Sequence, residues 1–115
     1  MTILVAEDDE LIGELLAEML VDLGHVVCAI ESTEQGTVDA ALRFQPDLLI
    51  VDFQLSPGSG INAVDLITQT QAVPHILVSG NIARVRQLRP DAILLEKPYT
   101  QRTLVSAIRR ASELV

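Results

Sequence analysis

Five separated positions combine residue types that can do chemistry together: Asp8 and Asp9 within the run Glu7-Asp8-Asp9-Glu10, then Asp52, Ser79, and Lys97 followed by Pro98. Carboxylates gathered at one point cannot all stay ionised without a cation, because each raises the pKa of its neighbours. Lys97 offers one positive charge against the three negative charges of Asp8, Asp9 and Asp52, and the remainder suits a divalent ion. Hard carboxylate oxygens, a single cysteine and two separated histidines point to Mg2+ or Mn2+ and away from zinc. An acid run is then tolerable if at least two of its members hold the metal while the lysine faces them. Glu7 and Glu10 are expected outside the site, facing solvent, with Glu10 also favouring the positive end of a following helix.

The elements that must position these residues are legible as short aliphatic runs alternating with longer amphipathic ones. TILVA, HVVCAI, DLLIVD, HILVSG and AILLE read as strands; LIGELLAEMLVDL, TVDAALRF, NAVDLITQT, IARVRQL and TLVSAIRRASEL read as helices. Strict alternation predicts an α/β sheet with crossover helices, and continuously apolar strands predict a parallel sheet covered on both faces. In the first helix Leu11, Ile12, Leu15, Leu16, Met19, Leu20 and Leu23 recur at helical spacing against a solvated stripe of Glu10, Glu14, Glu18 and Asp22, and Gly24 is placed to stop it. Ligands of such sheets bind outside the carboxyl ends of the strands. Asp8 and Asp9 follow the first strand, Asp52 closes the third, Ser79 closes the fourth and Lys97 follows the fifth, so all should meet at one edge.

At 115 residues, 49% hydrophobic and 21% charged, the chain fits one compact domain over residues 1–115 with an aliphatic core. No apolar run is long enough to span a bilayer, and the acidic amino terminus does not resemble a secretion signal, so a cytoplasmic location is expected. The net charge of -8 argues against non-specific binding to nucleic acid or anionic lipid. Its distribution is uneven: twelve acids and one base through Asp52, then four acids and seven bases. Two electrostatically different faces are expected. Cys28, alone in an apolar segment, packs; His25 and His75 read as strand-edge residues.

Taken singly, Asp8 is also a natural helix cap, Asp9 a residue that favours a helix dipole, Lys97 a surface lysine, and Ser79-Gly80-Asn81 an ordinary turn. Their register at successive strand ends is what makes a site. This ordered set, Asp8, Asp9, Asp52, Ser79 and Lys97-Pro98, resembles the receiver domain of bacterial two-component response regulators over essentially the whole chain. The resemblance implies a doubly wound (βα)5 flavodoxin-like three-layer sandwich with strand order 2-1-3-4-5. It implies that Asp52 accepts a phosphoryl group from a histidine kinase or histidine phosphotransfer protein, without turnover catalysis. Asp8, Asp9, Asp52 and the backbone carbonyl of Gln54 would hold Mg2+. Lys97 would pair with a phosphoryl oxygen, Ser79 would hydrogen-bond another, and the Lys97-Pro98 bond would be cis.

Two features depart from that family pattern. Leu94 stands three positions before the lysine, where many receivers carry Tyr or Phe, and the interval NIARVRQLRPD leaves room only for a brief fourth helix. That segment holds Arg84, Arg86 and Arg89, solvated arginines or a face for an acidic downstream partner. One rival reading is a degenerate, non-phosphorylated interaction module on the same fold. Another is a flavin or nucleotide binder, disfavoured because LSPGSG lacks the GKS or GKT of a phosphate loop and aromatics are few.

Overall fold

The computed structural model describes residues 1–113. Ten elements alternate: β1 (Thr2–Ala6), α1 (Glu10–Asp22), β2 (Val26–Glu31), α2 (Glu34–Phe44), β3 (Leu48–Asp52), α3 (Gly60–Thr68), β4 (His75–Ser79), α4 (Ile82–Leu88), β5 (Ile93–Glu96) and α5 (Gln101–Ser112). They follow the sequence expectation to within a few residues at each end. Leu114, the last residue of the predicted fifth helix, lies outside the described residues.

All strand pairings are parallel, in the order β2-β1-β3-β4-β5. Parallel neighbours need crossovers, which the helices supply, and the sheet divides the aliphatic core into two layers. Ile3, Val5, Leu48, Ile50 and Leu95 pack under α1 and α5 with Leu16, Leu20, Leu104 and Ile108. Leu4, Leu49, Val51 and Leu77 pack under α2, α3 and α4 with Ala41, Val64, Ile67 and Val85. Each fully buried aliphatic side chain contributes about 1.5–3 kcal/mol of transfer free energy, and β3 is buried at every position. The edge strands differ. Val26 and Ile30 of β2 remain largely exposed, so continuous apolarity does not there mean covered faces.

Helix α1 is closed after its Leu23 cap by Gly24, whose N–H donates to Val21 O at 2.9 Å and whose positive φ turns the chain so that His25 N–H reaches Leu20 O at 3.0 Å. The apolar stripe expected on this helix is rotated in the structure: Gly13, Leu16 and Leu20 are buried, whereas Leu11 and Leu15 are exposed. Leu15, with Ile12 and Met19, lines an apolar groove beside Pro98 and Tyr99 of the loop after β5. The cause is Gly13, whose lack of a side chain lets α1 approach Ile30 and the stem of Glu7. Cys28 packs as expected, partly buried against the α2-side core with its thiol directed to Ile3 O. His25 directly precedes β2 and His75 opens β4, each at the edge of its strand as expected.

Candidate functional site

At the carboxyl edge of the sheet each functional side chain is delivered by a strand end. Asp52 is the last residue of β3, only 5% exposed, and its carboxylate is held from two sides. Gln54 N–H donates to Oδ1 at 2.8 Å, and the ammonium of Lys97 pairs with Oδ2. Lys97 continues β5, its own N–H donating to Ser79 O at 2.9 Å, which fixes it beside the end of β4. The Lys97-Pro98 bond is cis. Lys97 Nζ also donates to Glu7 Oε1 at 2.8 Å. Burial by itself lowers the lysine pKa, but the hydrogen bonds and charges of Asp52 and Glu7 outweigh it and hold the ammonium far above its ordinary range.

Glu7 corrects an expectation. It does not face solvent: it is 4% exposed, its backbone extends the β1–β2 pairing to Glu31 O, and its carboxylate lies against Lys97. Together Glu7, Asp8 and Asp52 each offer an oxygen within 4.8 Å of the others. The sequence reading grouped Asp8, Asp9 and Asp52; the cluster has three carboxylates, but Glu7 stands in the place given to Asp9. Asp9 lies outside this cluster and is the N-cap of α1, accepting Ile12 N–H at 3.1 Å. Glu7 Oε2 in turn accepts Asp9 N–H at 3.2 Å, tying the helix start to the cluster. Glu10 is exposed in the first turn, as expected.

The cluster fits a hard divalent cation on its own electrostatics. Three carboxylates converge there against the single ammonium of Lys97, and desolvation, then a hydrogen bond and repulsion from Glu7, raise the Asp8 carboxyl above its usual value. Asp8 is exposed to the cleft, so an ion can reach it.

The loop after β3 is built to hold this geometry. Gly60 lies so close to Asp52 that a Cβ would stand 1.8 Å from the Asp52 carbonyl oxygen. Gly58, at φ +100°, passes against Glu34, where a Cβ would meet the Glu34 Cβ at 2.3 Å. Glu34, at the start of α2, accepts Ser59 N–H at 3.0 Å and donates its own N–H to Pro57 O at 3.1 Å. Ser59 caps α3 and bridges to Gln54, so Glu34, Ser59, Gln54 and Asp52 form one connected chain. Sequence reading missed Glu34; nothing in its local spacing marks a residue that acts across 25 positions.

The opposite wall is the loop after β4. Ser79 is buried, and its Oγ accepts Asn81 N–H at 2.9 Å, leaving its hydroxyl proton to donate elsewhere. The cleft between the walls, about 360 Å³, is lined by Asp8, Asp52, Gln54, Ser79, Arg84 and Lys97 among others. Helix α4 is brief, as the short interval predicted, and buries only Val85 among its residues. Leu94 is half-buried against the core under α2, α3 and α4, and Tyr99, the one tyrosine, packs instead on the α1 side. Of the three arginines, Arg89 is engaged by Asp65 at 2.5 Å, while Arg84 and Arg86 are exposed.

Comparison with known proteins shows the family. The family model described as the response regulator receiver domain matches residues 3–109. The chain belongs to that family. It is 31% identical over 114 residues to the transcriptional regulatory protein PdtaR of Mycobacterium tuberculosis, covering 95% of this chain and 55% of that one. Over 77 residues it is 36% identical to the KDP operon transcriptional regulatory protein KdpE of Escherichia coli, covering 67% and 34% respectively. The receiver domain of the PhyR response regulator of Erythrobacter litoralis superposes with a TM-score of 0.88 at 30% identity, covering 97% of this chain and 89% of that one. The chain thus spans about half the length of the PdtaR relative. No helix among the described residues is long and apolar enough to cross a membrane.

Proposed function

We propose that this chain is a phosphoacceptor receiver of a two-component phosphorelay, in which Asp52 takes a phosphoryl group from the phosphohistidine of a histidine kinase or histidine phosphotransfer protein. The observation that carries this reading is the buried carboxylate of Asp52, one oxygen fixed by Gln54 N–H and the other paired with Lys97, which also holds Glu7, with Asp8 beside them. The carboxylates of Asp8 and Asp52 and the backbone carbonyl of Gln54 would hold Mg2+, and Glu7 completes the anionic wall. When bound, the ion neutralises charge on the transferring phosphoryl oxygens.

The residues of the chain do the rest. An oxygen of Asp52 attacks phosphorus as the P–N bond to the donor imidazole breaks, and the imidazole leaves with its electron pair and takes up a proton. Such transfers need positioning and charge compensation more than covalent assistance. Lys97 shifts from the Asp52 carboxylate to a phosphoryl oxygen, and the Ser79 hydroxyl donates to another, drawing its loop inward. The chain acts once per phosphoryl group, as a switch or relay and not as a turnover enzyme, in the cytoplasm where the donor is charged. Leu94 in place of an aromatic favours a readout carried by the loop after β4 and not by an aromatic rotation.

Incubation with acetyl phosphate, followed by intact mass measurement, tests the reading. Wild type with Mg2+ should carry one phosphoryl adduct, which chelation of the metal and Asp52→Asn should each abolish. A folded wild type that acquires no adduct, or an Asp52→Asn protein that does, would leave the non-phosphorylated interaction module as the better account.

A further inference from the structure

One cation at the mouth of the cleft takes no part in the ion network below it. Arg84 lines the cleft with Asp8, Asp52, Ser79 and Lys97, yet among the described residues it makes no salt bridge. Its backbone position is set by the loop that carries Ser79: Arg84 N–H donates to Asn81 Oδ1 at 3.2 Å, and Asn81 N–H donates to Ser79 Oγ at 2.9 Å. Ser79 and Arg84 are therefore tied to one hydrogen-bonded turn, and both line the cleft that holds Asp52. Arg86 and Arg89 do not line the cleft, and Arg89 is held by Asp65.

The charges explain what such a group is for. Three carboxylates are balanced by Lys97 and a divalent ion. An acyl phosphate replaces the single charge of Asp52 with about -1.5 to -2, so phosphorylation leaves up to about one negative charge in excess. Lys97 is already counted in the balance. We infer that Arg84 is a binding residue for the phosphoryl group, its planar fork of donors engaging phosphoryl oxygens at the open side of the cleft and offsetting that added charge. This rests on the receiver reading above. Before the phosphoryl group arrives, the same guanidinium opposes the entry of a divalent cation. Its removal should therefore weaken phosphoryl binding without weakening metal binding, which loss of fold or of packing would not do.

The experiment measures Mg2+ binding alone, then binding of beryllofluoride at saturating Mg2+ as a non-covalent stand-in for the phosphoryl group, in wild type, Arg84→Gln and Arg84→Lys. Arg84→Gln should weaken beryllofluoride binding about fivefold or more, with Mg2+ affinity unchanged or tighter, and Arg84→Lys should recover part of the loss. Arg84→Gln that binds beryllofluoride as wild type does, or loses both ligands together, overturns the role of Arg84 while wild-type binding keeps the receiver reading. Wild type that takes up neither Mg2+ nor beryllofluoride overturns both.

Discussion

The two loops that enclose Asp52 are built differently. On the β3–α3 side Gly60 touches the Asp52 backbone, Glu34 grips Ser59 and Pro57, and Ser59 is bridged to Gln54, so the end of β3 and Asp52 are held by their own loop. On the β4–α4 side the position of a Gly80 Cβ meets nothing within 4 Å, α4 buries one side chain of its own, and Ser79 Oγ has a single bond to Asn81. A fixed wall suits metal capture and in-line attack, which reward exact preplacement of charge. An open wall suits a response, because its hydroxyl and guanidinium can move to new acceptors at little packing cost.

Matching glycine substitutions break this contrast most strongly. Gly60→Ala drives a methyl group into the Asp52 carbonyl and should cost about 3 kcal/mol or more, whereas Gly80→Ala should stay within about 0.5 kcal/mol; urea denaturation of both checks it. Next in size is Lys97→Ala, which leaves Glu7 and Asp52 buried without their cation. Loss of about 2–3 kcal/mol is expected in chelator, below the about 3–5 of a fully buried pair because the lysine side chain is 29% exposed. Added Mg2+ should restore part of it.

Glu34→Ala removes the grip on the β3–α3 loop. It should cost about 1 kcal/mol and weaken Mg2+ binding severalfold, while Glu34→Gln, which keeps an acceptor for Ser59 N–H, should recover both in denaturation and calorimetric titrations. The smallest effect is a pH dependence away from the site. Burial lowers the pKa of His75, and its Nδ1 is buried without a partner, so the unfolded chain takes up that proton first. Stability should then fall as pH drops below about 6.5 toward the depressed folded value, and His75→Gln should flatten that slope.

Much of this site is legible in the sequence, because strand ends are marked by where apolar runs stop. Asp52 and Ser79 each terminate such a run, Lys97 follows one after Glu96, and the parallel sheet brings the three to one edge. The acid run was harder, since four adjacent carboxylates offer no such boundary. The signal that separates them is the two-residue period of the strand. Ile3 and Val5 face the α1 and α5 core, as do Leu48, Ile50 and Leu95, and counting on by twos reaches Glu7, Asp52 and Lys97. Asp9 falls beyond the strand, directly before the first helical residue, where an aspartate caps. Glu34 lay out of reach for another reason: it acts through a long-range hydrogen bond that only the packing of α2 on α3 creates.

The most direct test of this account is calorimetric titration of Mg2+ into wild type, Glu7→Gln, Asp8→Asn and Asp9→Asn. Asparagine caps helices as well as aspartate, so the last variant keeps α1 intact. Wild type should take up one ion, Asp8→Asn none, and Glu7→Gln should bind about tenfold more weakly, while Asp9→Asn stays within about threefold of wild type. Loss of uptake in Asp9→Asn with full uptake in Glu7→Gln, or a folded wild type that binds no Mg2+, would contradict it.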